Sequence, residues 1–222
     1  MRLVLFDIDG TLIDSGGAGT RSLNLVFQEL FSLEGAFKGI PMAGKTDSEI
    51  IKEGLIKNNL LINSNFDAVV RAYLKSLRIE IKNDRKHVKP GVHNLLRKLS
   101  MESNVGLGLL TGNFEAGARI KLEPFNLNVY FQTGAFGSDD EDRNNLLPIA
   151  VERFEELYKR KIEIDNCIIV GDTPRDVECA HTYQAFCIGV ATGLYSFEEL
   201  VEAGADYVVR DLSDSSALTV IL

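Results

Sequence analysis

Short apolar runs alternate with helical periods along most of the chain. Leu3 to Phe6 is the first run, continuous and brief. Residues 17–33 then place Leu23, Val26, Phe27 and Leu30 on one helical face. Thr46-Asp47-Ser48-Glu49 is a capping-box pattern ahead of Ile50, Ile51 and Leu55. Val69, Val70, Tyr73, Leu74 and Leu77 mark a third helical face. Pro90-Gly91 breaks the chain, and Pro90 suits the start of a helix that buries Val92, Leu95, Leu96 and Leu99.

Beyond residue 100 the alternation is regular. Asn104 to Leu110 is an apolar run, with a helical stretch after Phe114. Residues 145–158 repeat Leu146, Ile149, Ala150, Phe154 and Leu157 at helical spacing. Cys167 to Val170 has the continuous apolar character of a strand buried on both faces. Thr173-Pro174 opens the next helix, Ala185 to Val190 is another strand, and Ser196-Phe197-Glu198-Glu199 is a second capping box. Tyr207 to Val209 is a last short strand.

This order predicts an α/β fold, a doubly wound parallel sheet with helices on both faces. Residues 16–86 break the rule, because they read as helices with no strand between them. The simplest account is a core domain of residues 1–15 and 87–222, with a small helical cap of residues 16–86 inserted after the first strand. Gly16, Gly17 and Gly19 on one side and Lys89-Pro90-Gly91 on the other would be the connections.

In such a sheet, ligands bind beyond the carboxyl ends of the strands. Three apolar runs end abruptly in polar groups: Asp7-Ile8-Asp9-Gly10-Thr11, Thr111-Gly112-Asn113, and Gly171-Asp172-Thr173-Pro174-Arg175-Asp176. If the three strands are neighbours, Asp7, Asp9, Asp172, Asp176 and Thr111 surround one crevice. A cluster of like charge is costly without a cation. Carboxylate and carbonyl oxygens with room for water suit Mg²⁺, and a hydrated metal suits a phosphate substrate. Gly10 and Gly112 would let the backbone approach an anion closely. Taken singly, an Asp-x-Asp or a Thr-Gly-Asn is an ordinary turn; in this order, at three strand ends, the set points to metal-assisted phosphoryl chemistry.

Composition narrows the setting. The chain has 222 residues, 45% of them hydrophobic and 25% charged, which excludes a disordered or fibrous protein. Lys and Arg number 24 against 32 Asp and Glu, a net charge of −8. That is a poor match for nucleic acid. No apolar run is long enough to span a bilayer, and Leu3–Phe6 is too short for a signal peptide. Cys167, Cys179 and Cys187 are odd in number and far apart, so neither a disulfide framework nor a zinc site is expected, and the expected compartment is the cytoplasm. His87, His93 and His181 lack metal-ligand spacing and are expected at the surface.

The motifs themselves carry a resemblance. Asp7-Ile8-Asp9-Gly10-Thr11-Leu12 resembles the first signature of the haloacid dehalogenase-like hydrolase superfamily. Leu110-Thr111-Gly112-Asn113 resembles its second, and Gly171-Asp172 with Asp176 its fourth. The layout is most similar to the phosphoglycolate phosphatases and β-phosphoglucomutases. The resemblance implies a Mg²⁺-dependent phosphatase acting on a small phosphomonoester. It makes Asp7 the nucleophile that becomes an aspartyl-phosphate, and Asp9 the acid and base for the leaving alcohol and the attacking water. It gives the metal to Asp7, the Asp9 carbonyl and Asp172, with Asp176 acting behind them. It gives the phosphoryl oxygens to Thr111, with backbone N–H groups at Gly112 or Asn113. The presence of Asp9 favours phosphoryl transfer over halide displacement from carbon.

The third signature departs from the family pattern. Relatives usually carry a lysine there; here the segment reads Asp139-Asp140-Glu141-Asp142-Arg143-Asn144-Asn145. Arg143 is the first choice for the cation that bridges phosphate and nucleophile, and Lys121 is the alternative. In the cap, Gly44-Lys45-Thr46-Asp47 is a tight turn carrying a cation, and Lys45 either reads the substrate or is a solvated lysine beside a helix cap. A phosphomutase using the same aspartyl-phosphate, or a catalytically silent protein on this fold, are the competing functions.

Overall fold

A computed structural model describes residues 1–222. Its main sheet has six parallel strands: β1 (Arg2–Phe6), β4 (Val105–Thr111), β5 (Gly134–Phe136), β6 (Cys167–Gly171), β7 (Phe186–Val190) and β8 (Tyr207–Val209). Their order is β5-β4-β1-β6-β7-β8, so the chain starts in the middle and winds outward both ways. Such a reversal of winding beside β1 leaves a crevice at the strands' carboxyl ends.

The alternation of side chains along β1 builds two cores. Val4 and Phe6 face one layer, with Leu107, Leu109, Ile168 and Val170, under α4 (Val92–Leu99), α5 (Glu115–Leu122) and α9 (Ser215–Ile221). Leu3 and Leu5 face the other, with Leu110 and Ile169, under α6 (Leu146–Tyr158) and α7 (Pro174–Thr182). Both faces are covered, which is why the central strands read as unbroken apolar runs. The short α8 (Phe197–Glu202) starts on the capping box of Ser196 and Glu199.

Residues 16–86 contain no strand of this sheet. They form α1 (Ala18–Phe31), α2 (Asp47–Lys57) and α3 (Ile62–Glu80) around an apolar cluster that includes Val26, Phe27, Phe37, Leu55 and Tyr73. Phe114 and Ile120, from β4's loop and α5, belong to the same cluster, so the helical segment shares its core with the sheet's own helix. The two connections pair with each other: β2 (Ile13–Asp14) runs antiparallel to β3 (His87–Val88).

Several sequence expectations change. Pro90 does not open α4; Gly91 caps it with φ of +82°, where a Cβ would lie 2.0 Å from the Leu212 carbonyl carbon. Leu30 and Leu157, placed on buried faces by spacing alone, are 41% and 49% exposed. The β2–β3 ribbon, β5 and α9 are too short to leave a periodic signal.

Candidate active site

Because β4, β1 and β6 are adjacent and parallel, the three polar strand ends meet. Asp7 leaves β1 with its N–H on the Val170 carbonyl (2.9 Å). Carboxylate oxygens of Asp7, Asp172 and Asp176 lie within 4.8 Å of one another, all buried. Asp176, in the first turn of α7, has no exposure at all. One of its oxygens accepts the N–H and hydroxyl of Thr173 (3.0 and 2.8 Å), the other the Arg143 guanidinium (2.5 Å). Asp172 accepts the Thr11 hydroxyl (3.1 Å).

Arg143 stands in a single 3-10 turn just before α6 and is 4% exposed. Nη2 lies 3.2 Å from Asp7 Oδ1 as well as on Asp176. Burial opposes its charge, but Asp176 and Asp7 outweigh that and hold the guanidinium protonated. Burial pushes the Asp7 carboxyl up to about 6, with Asp176 and Asp9 adding to it against the pull of Arg143. Asp172 is pushed far above the usual carboxylate range by burial, then by Asp7 and Asp176. Three carboxylates around one guanidinium are short of positive charge, and their oxygen donor set fits a hard divalent cation such as Mg²⁺.

Asp9 belongs to a second group. Its Oδ2 accepts the Lys121 ammonium (2.6 Å) and the Asn113 amide (3.0 Å). Asn113 also donates to Thr111 Oγ1 (2.9 Å), and its carbonyl accepts Lys121 (2.5 Å). Burial works against ionisation of Asp9, but Lys121 and these hydrogen bonds hold its carboxyl below the usual range. The two cations that the sequence left as alternatives therefore stand in different places: Arg143 on Asp7, Lys121 on Asp9.

The helical segment closes over this floor. Asp47 N–H donates to the Gly112 carbonyl (2.7 Å), and Asp47 Oδ2 accepts the Phe114 N–H (2.9 Å). Thr46 and Ser48 hydroxyls donate to the carbonyls of Glu141 and Gly137 (both 2.9 Å). Lys45 lines the cavity, but its ammonium is held by Glu49 and Glu53, one and two turns further on, and makes no ion pair with the acidic cluster. The cavity between the helical segment and the sheet edge has a volume of about 340 Å³ and is open to solvent on one side. Gly10, at φ of +88°, is a place where a Cβ would lie 2.2 Å from Asp172 Oδ2. His87, His93 and His181 are exposed, as expected, and the three cysteines are buried and unpaired.

Gly112 is the tightest point of the seam, since a Cβ there would stand 2.1 Å from the Lys45 carbonyl oxygen. A backbone neighbour cannot rotate away. Gly112→Ala is expected to cost about 2 kcal/mol, a melting temperature lower by roughly 4–8 °C. An unchanged melt would mean that the start of α2 does not rest on this loop.

Asp47 and Tyr73 line the same cavity and were not legible as site residues. Asp47 follows a capping threonine, where acids are common for helix-dipole reasons, and Tyr73 falls at core spacing. Only their burial, at 7% and 1% exposure, sets them apart.

Known proteins share the sequence family and the fold. The model of the haloacid dehalogenase-like hydrolases matches residues 1–182. The chain is 24% identical over 220 residues to the pyrophosphatase PpaX of Listeria monocytogenes, covering 97% of this chain and 94% of that one. It is 25% identical over 213 residues to a phosphoglycolate phosphatase of Agrobacterium fabrum, covering 95% and 89%. Among solved structures, CbbY from Rhodobacter sphaeroides, in complex with phosphate, superposes with a TM-score of 0.75 at 17% identity, over 97% and 96% of the chains. A predicted phosphatase from Clostridium acetobutylicum gives 0.72 at 23%, over 100% and 99%. With its signatures gathered at one sheet edge and its family match running through most of its length, the chain belongs to the haloacid dehalogenase-like hydrolase family, in the part that is similar to phosphoglycolate phosphatases.

Proposed function

We propose that the chain is a Mg²⁺-dependent phosphatase that hydrolyses a small phosphomonoester through an aspartyl-phosphate on Asp7. The observation that carries this is the buried Asp7–Asp172–Asp176 group with Arg143 on the nucleophile's carboxylate. Asp7, Asp172 and the Asp9 carbonyl would hold Mg²⁺, with Asp176 behind them. When bound there, the ion offsets the repulsion between an anionic nucleophile and an anionic phosphate.

Asp7 attacks phosphorus in line with the leaving oxygen. Arg143 fixes its carboxylate and shares the phosphoryl charge. The Thr111 hydroxyl and the N–H groups of Gly112 and Asn113 take the phosphoryl oxygens. Asp9, held ionised in the free site, takes up a proton with the incoming ester, gives it to the leaving oxygen and later takes one from the attacking water. Lys121 and Asn113 orient it and stabilise its ionised, waiting state. Residues 16–86 act as a cap that excludes water, and Lys45 fixes the start of α2 in that cap. The cavity's size suits a metabolite. The charge of −8 and the unpaired cysteines support a cytoplasmic enzyme with no nucleic-acid partner, and no helix is long and apolar enough to cross a membrane.

Purified protein is expected to release phosphate steadily from p-nitrophenyl phosphate with Mg²⁺ and to stop with a chelator. Release that required a sugar bisphosphate would favour a mutase. No turnover on any phosphoester would favour a non-catalytic role.

A further inference from the structure

On one side the cavity is walled by α1 and α3, through Gly19, Thr20, Leu23 and Tyr73, and this side forms a chamber. Its wall shows a pattern of charge that the mechanism does not use. Four cations line the whole cavity: Lys45, Lys89, Lys121 and Arg143. Every one already has a carboxylate. Lys45 is on Glu49 and Glu53, Lys89 on Asp14 (3.7 Å), Lys121 on Asp9, and Arg143 on Asp7 and Asp176. Among the lining acids away from the metal cluster, Asp47 has no cation within ion-pair distance. Its Oδ2 is used by the Phe114 N–H, and its Oδ1 has no partner in the protein.

Tyr73 is the second unpartnered group. It is 1% exposed and lines the chamber, yet its hydroxyl makes no hydrogen bond within the protein. A Cβ on Gly19 would lie 3.5 Å from that hydroxyl and 3.6 Å from the Lys121 ammonium, so both point at the same bare spot on α1. Asp47 Oδ1 and the Tyr73 hydroxyl belong to buried residues yet open on the cavity, where water or a bound ligand can supply the missing partner. Burial, then the nearby Asp47 and Asp9, raise the Tyr73 hydroxyl's pKa, so it stays a donor.

Resting on the phosphatase reading, we propose that Asp47 and Tyr73 recognise the leaving group of the ester, and that they select an uncharged, hydroxyl-bearing alcohol over one carrying a second anion. Asp47 Oδ1 accepts a hydroxyl hydrogen. The Tyr73 hydroxyl donates to a hydroxyl oxygen. A carboxylate or second phosphate in the chamber would face Asp47, and the one ammonium that reaches this wall, Lys121, already serves Asp9 and Asn113 and offsets the charge of Asp47. The substrate class is thus a small polyol or sugar phosphate, unlike what the names of the pyrophosphatase and phosphoglycolate phosphatase relatives state for those proteins.

The test is steady-state kinetics of the Mg²⁺-loaded full chain on glycerol phosphate, phosphoglycolate and pyrophosphate, with p-nitrophenyl phosphate as a general probe. Glycerol phosphate is expected to show a kcat/KM at least about tenfold above both anionic leaving groups. Asp47→Asn is expected to lose about tenfold on glycerol phosphate and to gain on phosphoglycolate, which compresses the ratio. Tyr73→Phe is expected to raise KM for glycerol phosphate more than for phosphoglycolate. A merely structural role would lower both substrates alike and leave the ratio unmoved, and that result overturns the assignment. So does a wild-type preference for phosphoglycolate or pyrophosphate, with the phosphatase reading left intact. If no ester turns over, p-nitrophenyl phosphate included, the phosphatase reading fails and the inference falls with it.

Discussion

Asp7→Asn is expected to lower turnover by about 10⁴-fold or more while leaving the fold unchanged. The amide keeps the shape of the carboxylate but cannot attack phosphorus. The residue is 5% exposed, packed against Arg143 and beside Asp172 and Asp176, so the isosteric change opens no cavity. It also removes one of three crowded acids. Burial pushes the Asp7 carboxyl up to about 6, so the metal-free variant should melt no lower than the parent protein. A variant that melts early has lost its fold and does not test the nucleophile. Activity and melting must therefore be measured on the same preparation. Rapid quenching of the wild-type reaction, followed by peptide mass analysis, should find the phosphoryl group on the peptide that carries Asp7. Full turnover by Asp7→Asn, or the label on another residue, would remove the proposed chemistry.

The place of Asp7 at the sheet edge was legible in the sequence because strand ends are. A continuous apolar run such as Leu3–Phe6 can hardly be anything but a buried strand, and the acids that follow it must then lie at the sheet edge. The same logic placed Thr111 and Asp172. It also located residues 16–86 as helical, since Val26 with Phe27 and Val69 with Tyr73 repeat at helical spacing. What periodicity does not carry is the partner of a charge. Lys45 and Lys121 look alike in sequence, each a lysine beside a helix terminus or within a helix. Only the fold shows that Glu49 and Glu53 take the first, while the second crosses to Asp9, 112 positions away in the chain. Asp47 was hidden for a related reason. Its ordinary local role at a helix start conceals the fact that its other oxygen faces a cavity.

Arg143 tests the other half of the site, the charge balance. Arg143→Ala is expected to destabilise the metal-free protein by about 3–5 kcal/mol, because two buried carboxylates lose their counter-charge at once. For a chain of this length that is a melting temperature lower by roughly 6–20 °C. The sign of the pH dependence follows from the acids left behind. Without the guanidinium, the folded-state pKa of Asp7 rises further above the unfolded carboxylate value of about 4. Ionising it then costs folding free energy at every pH above that value, and nothing below it. Parent and variant both bear that cost up to about 6, where the parent's Asp7 ionises; the stability gap between them should therefore widen as pH rises through about 6 and close on acidification. Mg²⁺ should narrow it as well, by supplying positive charge to Asp7 and Asp172. A gap that is flat with pH and indifferent to Mg²⁺ would show that Arg143 acts by packing alone. Turnover should fall about 10²–10³-fold in Arg143→Ala even with saturating Mg²⁺, since a fixed charge at the phosphoryl group is missing. Arg143→Lys separates charge from shape. It returns the positive charge but not the planar fork that reaches Asp7 and Asp176 from one nitrogen, so stability should recover more than turnover does.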